Sequence, residues 1–521
     1  MSCSKHSTQL SQDSVQLFHN KIVMAPLSKT IVKTLLPDTI FYISQVVVYF
    51  IITHYLYQFV DNHVGLVACI ITYVVLNLVT ILVSDAVVEA GLYFVGKSLE
   101  TKKNGAAKMY FAYTVVVGVL TTFIISFTIV IGARKQLTNF ILWSREQIQV
   151  EKQIYNYVAI SFILTFFISS LNKLTKVEGK SNLVLNYLIT IIQLYVIQMS
   201  LFLIQMMGKA ITPIIFIPCL IIPVIISAVY SLFQAFHFFS KKILYNNILF
   251  IEMNIFKPLR PKVQLEILKL SFHNIFQNVS DALILLFTVQ LVTYSDVPVV
   301  AYTLLQLELT NVINKSISNN LSSVFRLNMQ LKRYDRVFNL FLSLFPLMLV
   351  NLAYQVFTFS VRNKLYKLVF NNLFDSTMEL FHGSVDGFLG IFSAYSSAVL
   401  KSNPNSKISF YMGSFKLIIS ISFWLTAKYT NYGNTHCSSM LYYYKYCTDL
   451  IGFGLFVIYF KQFYLLKKKN CIQEQFGKEP EKLVLRELEI MEPLNISEES
   501  QSSKTKEPAN CQQEEINGSC E

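Results

Sequence analysis

The chain has 521 residues, of which 53% are hydrophobic and only 14% are charged, and its mean hydropathy is +0.46. Because soluble domains carry about 25% charged residues, this composition excludes an ordinary soluble protein. The formal net charge of +13 would suggest nucleic-acid binding in a soluble protein. In a membrane protein, an excess of lysine and arginine is typical of cytoplasmic loops. We therefore predict a lipid bilayer, and no nucleic acid, as the partner.

Long apolar runs separated by polar breaks dominate the chain. A bilayer core about 30 Å thick requires about 20 apolar residues in a helix, and a helix satisfies its backbone hydrogen bonds within the segment. The predicted spans are 31–60, 64–95, 107–133, 154–174, 182–206, 210–240, 265–291, 297–325, 337–361, 373–400, 408–428 and 439–465. This pattern predicts an all-α polytopic membrane protein of about twelve transmembrane helices.

Polar segments divide these spans into two six-helix bundles. The predicted order is a cytoplasmic N-terminal segment (1–30), an N-lobe bundle (31–240), a cytoplasmic linker (241–262), a C-lobe bundle (263–466) and a disordered cytoplasmic tail (467–521). The basic turn at 176–180, before the fifth span, has a counterpart at 401–407, before the eleventh. Such an internal repeat is typical of transporters with a central site between two bundles.

The charge asymmetry of the loops predicts the orientation. With the N-terminus inside, the cytoplasmic segments carry about 27 Lys and Arg residues and the outer loops about 10. Both termini are therefore expected in the cytoplasm, which an even number of spans also requires. We predict a monomeric multi-pass protein of the plasma membrane or of an organelle membrane.

The sequence lacks the motifs of a metal-dependent or cofactor-dependent enzyme. Its eight cysteines form no Cys-x-x-Cys pair and no metal-like cluster. It also has no His-box, no Asp-x-x-Asp pair and no Ser/Cys–His arrangement of the kind that an integral-membrane transferase would need. We predict no enzyme activity, no metal and no cofactor, and keep a membrane transferase as the least favoured alternative.

Three carboxylates lie inside apolar spans of the second half. Counted at about 1.5 Å per residue from the outer ends of their spans, Asp281, Glu308 and Asp386 are about 15, 16 and 20 Å deep, near the midplane. Ionisable groups at that depth are costly and are functional candidates. We predict that they bind the coupling ion or the substrate, together with further residues on the same helical faces: His273, Lys315, Glu379 and His382.

Each of these assignments has a structural alternative. Glu308 and Lys315, two helical turns apart, are also spaced for a structural ion pair. The two histidines suit hydrogen-bonded packing, and Glu379 suits contact with the outer headgroups. In the first half, the predicted gate or interface residues are Asp38, Asp85 and Glu89 near the inner ends of their spans, and His54 towards the outer surface. Solvated structural roles are the alternative for these four.

Several short motifs follow one another over residues 31–465. They are Pro37, a basic loop with Gly91, Gly96, Lys102 and Lys103, the turn Glu178–Gly179, Glu308 followed by Arg326 and Asn328, the loop Lys332–Asp335, and Asp386–Gly387. In order and spacing they resemble the multidrug and toxic compound extrusion (MATE) family, in a divergent eukaryotic-like form. The chain departs from the family in the first span, where no carboxylate stands near Ile52 or Thr53.

The resemblance implies a secondary active antiporter. Such a protein would export amphipathic, cationic organic compounds in exchange for H+ or Na+ by alternating access. The alternative is a lipid-linked oligosaccharide flippase of the same superfamily, which should have a basic cavity for a pyrophosphate. Lys315 is the clearest midplane cation here, and it stands beside three acids. This balance favours a cationic cargo.

Overall fold

The described part of the chain is helical almost throughout. The structure, a computed structural model, describes residues 26–59, 86–100, 261–291, 305–330, 333–370, 377–402, 407–430 and 437–476, with a few isolated residues between 106 and 128 and between 225 and 229. None of these residues is in a β-strand. The all-α fold expected from the sequence is therefore confirmed over the described residues.

Nine helices with defined bounds make up most of this part of the chain. They are α1 (Leu27–Phe59), α2 (Ala86–Glu100), α3 (Pro261–Leu291), α4 (Val312–Gln330), α5 (Tyr334–Leu342), α6 (Leu344–Phe370), α7 (Thr377–Ser402), α8 (Lys407–Tyr429) and α9 (Cys437–Phe476). Residues 305–310 are also helical and lead into α4. Backbone bonds from Asn311 to Leu307 and from Lys315 to Asn311, of 3.1 and 2.9 Å, carry the helix across residue 311.

The helices coincide with the apolar runs that predicted them. α1, α3, α7 and α8 begin and end within four residues of the predicted spans. The predicted ninth span is covered by α5 and α6, which are separated by a turn at Ser343. The predicted spans 107–133, 154–174, 182–206 and 210–240 lie mostly outside the described residues, as do the N-terminal segment and most of the linker.

Helix α9 is longer than the predicted twelfth span. It runs from Cys437 to Phe476, past the predicted end at residue 465. The lysines at 467–469, predicted as the start of a disordered tail, are helical instead. Lys467 lies over the Phe338 ring, with 4.9 Å between its ammonium and the ring centroid. This contact favours the helical position of Lys467. Because the helix continues to Phe476, the predicted tail boundary at residue 467 is wrong.

Side-chain exposure identifies a surface suited to lipid. Large apolar side chains such as Leu349 and Leu265 are 69% and 68% exposed, whereas Asp386 is completely buried. Apolar groups outside and polar groups inside are the arrangement that lipid favours. Three stretches of the described part are long and apolar enough to cross a membrane: Tyr334–Val361, Phe410–Tyr429 and Tyr442–Lys469. The chain is thus a polytopic helical membrane protein.

The helices α4, α7 and α9 pack side by side. An aromatic cluster stabilises this packing, with the buried Phe341 of α5 in contact with Phe325 of α4, Tyr395 of α7 and Phe456 of α9. Around these three helices, α1 packs on α4 and α6, α2 packs on α3, and α3 packs on α8. The apolar cluster therefore holds together three helices that carry buried polar groups, among them Asp386 and Asp449.

Candidate ion-coupling site

Two buried aspartates, Asp386 of α7 and Asp449 of α9, face each other where these helices pack. Their exposed fractions are 0% and 1%, and their carboxyl groups are within hydrogen-bonding reach of each other. The side-chain amide of Asn311 donates to Asp386 Oδ2 at 2.9 Å. We call Asp386 and Asp449 the carboxylate pair.

Most oxygens of the carboxylate pair have no hydrogen-bond donor among the described residues. Within the described part of the chain, Asp386 Oδ1 and both carboxylate oxygens of Asp449 accept no hydrogen bond. The Lys445 ammonium lies 3.7 Å from Asp449 Oδ1, which is too long for a hydrogen bond. Ionised carboxylates are acceptors only, so two of them side by side cannot bond to each other. A proton on either one would supply the missing donor.

Gly452 allows α9 to approach α7 closely enough to bring the two aspartates together. A Cβ at residue 452 would lie 2.6 Å from the Cα of Ser393, so any side chain there would push the helices apart. The Ser396 hydroxyl donates to the Gly452 carbonyl oxygen at 2.7 Å. Small residues at such contacts are typical of helix packing in membranes.

Neutral amides hold α7 against its other neighbours. Asn314 and Asn351 both donate to the Gly387 carbonyl oxygen at 2.8 Å, and Gln355 donates to the Thr310 carbonyl oxygen at 2.9 Å. Gly387 leaves room for this network, because a Cβ there would lie 2.3 Å from the Gln355 amide nitrogen. These amides position Asp386 without adding a charge beside it.

His382 lies one helical turn before Asp386 and is held by Tyr446 of α9. Its Nδ1 is 2.8 Å from the Tyr446 hydroxyl oxygen, and that hydroxyl donates to the His382 carbonyl oxygen at 2.9 Å. Both bonds form when Nδ1 carries a proton. The Tyr442 ring stacks on the imidazole, with 6.0 Å between centroids. His382 is therefore part of the α7–α9 contact next to the carboxylate pair.

Glu308 and Lys315 form an ion pair along the helical stretch 305–330. The Lys315 ammonium donates to the Glu308 carboxylate. The two residues flank Asn311 in sequence, but their side chains are 24% and 43% exposed. This ion pair therefore borders an accessible space, in contrast to the closed interior around Asp386.

Helix α1 meets α4 through side-chain hydrogen bonds that join the two halves of the chain. Asn320 donates to Asp38 Oδ2 at 2.7 Å, and the Thr39 hydroxyl donates to Ser316 Oγ at 3.1 Å. Asp38 is only 2% exposed. Breaking a buried bond of this kind leaves an unsatisfied polar group, which costs about 1–3 kcal/mol. We call these four residues the α1–α4 interface.

A second set of polar contacts crosses four helices. Asn319 of α4 donates to the Tyr42 hydroxyl of α1 at 2.6 Å. The Lys401 ammonium of α7 donates to Asn319 Oδ1 at 2.7 Å and lies 3.8 Å from Glu89 Oε1 of α2. Arg326 of α4 also interacts electrostatically with Glu89. Both halves of the chain thus contribute to one polar contact region.

This architecture is similar to that of solved MATE proteins. A MATE in the bent conformation has a TM-score of 0.64 and 12% identity, over 87% of this chain and 98% of that chain. An outward-facing multidrug resistance MATE family transporter of the MOP superfamily gives 0.63 and 13%, over 86% and 98% of the two chains. An inward-facing conformation of such a transporter gives 0.56 and 12%, over 82% and 99%. The protein has the MATE fold.

The similarity to MATE structures is one of fold. No protein-family model and no curated protein sequence matches the chain. The structural similarity confirms the MATE fold that the order of motifs along residues 31–465 predicts, although each motif alone is weak. Which chemistry this fold supports in the present chain depends on its own residues.

The structure brings together only some of the predicted site residues. Asp386 and His382 lie at the α7–α9 contact, whereas Glu308 and Lys315 pair with each other. In α1, His54 is half-buried. Other predicted residues have side chains outside the described ones: His273, Asp281, Glu379 and Asp85.

Asp449 and Lys445 are residues of this site that the sequence analysis missed. They lie in the predicted twelfth span as a carboxylate and an ammonium one helical turn apart. The rule that marks intramembrane ionisable groups as functional candidates applies to both, and their i, i+4 spacing is a second signal. The sequence does not indicate the packing of α7 on α9, which brings Asp449 to Asp386.

The half-exposed position of the Glu308–Lys315 ion pair predicts a small effect on stability. Exposed ion pairs contribute about 0–1 kcal/mol, so Glu308→Gln should be expressed and should melt close to wild type. Thermal unfolding of the purified protein in detergent measures this. The double variant Glu308→Gln/Lys315→Met is the control. Poor expression of the single variant, recovered in the double, would show instead that the pair is a buried structural one.

Proposed function

We propose that this protein is a secondary antiporter that exports amphipathic organic cations in exchange for protons, with Na+ as the alternative coupling ion. The carboxylate pair is the observation that supports it. A buried carboxyl group that faces a second carboxyl and has an unsatisfied oxygen is suited to take up one proton and release it again. The MATE fold supports the coarser conclusion of a transporter of the MOP superfamily.

In this proposal the exchanged proton binds to the carboxylate pair. With one proton shared by Asp386 and Asp449, the carboxyl on one residue donates to the carboxylate on the other. When the proton leaves, two negative charges remain in a low-dielectric site and repel each other. This repulsion favours the arrival of a cation. Protons and a cationic cargo would therefore compete for one site, and such competition couples their transport.

The fold and the polar contacts between the halves favour alternating access. The structure matches an outward-facing transporter with a TM-score of 0.63 and an inward-facing one with 0.56. Asp38, Glu89 and Lys401 lie at span ends that the loop charges assign to the cytoplasm. Their contacts would then close the cytoplasmic side while the outer side is open. In the opposite state these contacts would break.

Transport by the purified protein in liposomes tests this proposal. Tetraethylammonium is a suitable probe because its permanent charge prevents passive trapping by a pH gradient. With an acidic lumen, proteoliposomes should accumulate the radiolabelled cation, and an ionophore that dissipates the pH gradient should abolish the accumulation. Protein-free liposomes serve as the blank.

The same proteoliposomes separate the proposed antiporter from a flippase. A lipid-linked oligosaccharide labelled in the inner leaflet would become accessible to an external glycosidase only if it were flipped. Flipping of this lipid without pH-driven uptake of tetraethylammonium would contradict the proposed function.

A further inference from the structure

Lys445 is placed at the edge of the carboxylate pair. It lies one helical turn before Asp449 on α9, and its ammonium is 3.7 Å from Asp449 Oδ1. The Lys445 side chain is 35% exposed, whereas that of Asp449 is completely buried. A partly exposed cation thus lies beside a buried carboxylate. At this distance it acts on the pair through its charge and not through a hydrogen bond.

The other groups around the carboxylate pair add little positive charge. Asn311, from the stretch 305–330, and Asn351 and Gln355, from α6, are neutral amides on two of the three helices packed against α7. Among the titratable groups that the structure describes near the pair are Tyr442, Tyr443 and Tyr446 on α9, His382 on α7, Tyr354 on α6, and Glu308 with Lys315 on the stretch 305–330. Lys315 pairs with Glu308, whereas the Lys445 ammonium lies 3.7 Å from Asp449 Oδ1, beside the carboxylate pair.

We propose that Lys445 is a tethered counter-cation that sets the pH at which the carboxylate pair exchanges its proton. This inference rests on the proposed proton coupling and extends it to a residue of α9. With one proton bound, the pair and Lys445 together are neutral. After the proton leaves, they carry a single negative charge, which matches a monovalent cationic cargo. Lys445 is thus a positioning residue that acts through the pair.

The charges of Asp449 and Lys445 should shift the pH dependence of transport in opposite directions. Asp449→Asn removes a negative charge next to Asp386, so the proton is held less tightly and the pH of half-maximal tetraethylammonium uptake falls. Lys445→Met removes a positive charge, so the proton is held more tightly and this pH rises. Each shift should be about one pH unit or more. The measurement is the initial rate of uptake into proteoliposomes with an acidic lumen, as a function of external pH.

Two further variants test whether charge alone is responsible. Lys445→Arg keeps the charge and should retain the wild-type pH profile. The double variant Asp449→Asn/Lys445→Met removes both charges and should return the midpoint towards wild type. A purely structural role for either residue would lower the rate at every pH and would not give shifts of opposite sign.

Matched control variants exclude a general effect of surface charge. Lys461→Met removes an exposed lysine four helical turns later on the same helix α9, and Asp335→Asn removes an exposed carboxylate at the start of α5. Both should leave the midpoint unchanged. All variants are compared at equal amounts of monodisperse protein. If Asp449→Asn does not fold, the comparison of Lys445→Met with Lys445→Arg decides the question.

The outcomes separate this inference from the proposed function. If wild-type protein shows no pH-driven uptake, the proposed function itself is wrong. If wild type is coupled but Lys445→Met keeps the wild-type midpoint, or shifts it in the same direction as Asp449→Asn, Lys445 is not a counter-cation of the pair. Opposite shifts, cancelled in the double variant, support it.

Discussion

Asp386→Asn is expected to reduce pH-driven uptake of tetraethylammonium to the level of protein-free liposomes. The amide that replaces the carboxyl group cannot lose or gain a proton in the working pH range, so the proposed exchange of protons for the cation is lost. Folding should be preserved, because the amide has the same shape and can donate to the Asp449 carboxylate, which accepts no hydrogen bond from the described residues. Uptake is measured at equal amounts of reconstituted protein, and folding by thermal unfolding in detergent.

Substitutions elsewhere in the chain define how specific this effect is. Asp335→Asn removes an exposed carboxylate at the start of α5, outside the described contacts of the pair, and should leave uptake intact. Asp38→Asn alters the α1–α4 interface, and Asp85→Asn alters the predicted inner end of the second span. Uptake of tetraethylammonium by both variants should still depend on pH. If these first-half substitutions abolish coupling and Asp386→Asn does not, the ion is handled in the first half of the chain.

The fold could be predicted from the sequence because lipid imposes a simple requirement on it. Each apolar run has to be long enough to cross the bilayer and has to be helical, so α1, α3, α7 and α8 lie within four residues of their predicted positions. Helix α9 shows where this rule fails. A helix can extend beyond the end of its apolar run. Here Lys467 lies within α9, and its ammonium contacts the Phe338 ring.

Of the candidate carboxylate pair, only Asp386 could be predicted from the sequence. Depth along a span follows from counting residues, which led to Asp386 as a midplane carboxylate. Its partner is 63 residues away on another helix (449 minus 386). That proximity depends on the missing side chain of Gly452, which allows α9 to contact Ser393 of α7. The position of a single glycine within an apolar run does not indicate which helix packs against it.

For Asp38 and Glu89, the sequence predicts a position near an interface but not the residues that they contact. Asp38 and Glu89 were predicted as gate or interface residues from their position near the inner ends of their spans. The structure places Asp38 against Asn320 and Glu89 against Lys401, in the other half of the chain. These partners are uncharged or distant in sequence, so no local pattern indicates them. A cross-linking experiment tests whether these contacts open and close in each transport cycle.

Cross-linking α1 to α4 is expected to stop transport. The Thr39 and Ser316 side-chain oxygens are 3.1 Å apart, and a disulfide joins two sulfurs about 2.05 Å apart when the Cβ atoms are about 3.5–4.5 Å apart. A Thr39→Cys/Ser316→Cys variant therefore needs only small side-chain rotations to form the bond. If the α1–α4 interface has to open in each cycle, the oxidised variant should fall to the background rate. A reductant should restore uptake.

A second cysteine pair serves as the matched control. Ser318 of α4 and Ser397 of α7 have hydroxyl oxygens 3.0 Å apart, and both residues lie in the second half of the chain. Oxidation of Ser318→Cys/Ser397→Cys should form a disulfide as readily, yet leave uptake close to its reduced level, because helices of one bundle move together. The single variants, treated with the same oxidant, control for the eight native cysteines.

Uptake is measured before oxidation, after oxidation and after reduction, with the extent of cross-linking determined by mass spectrometry of the linked peptides. Full activity of Thr39→Cys/Ser316→Cys at complete cross-linking would show that α1 and α4 stay together throughout the cycle. The polar contacts of Asp38 would then be structural, and the movement would have to occur elsewhere. Loss of activity with this pair, but not with Ser318→Cys/Ser397→Cys, would identify the contact between the two halves as the part of the protein that opens.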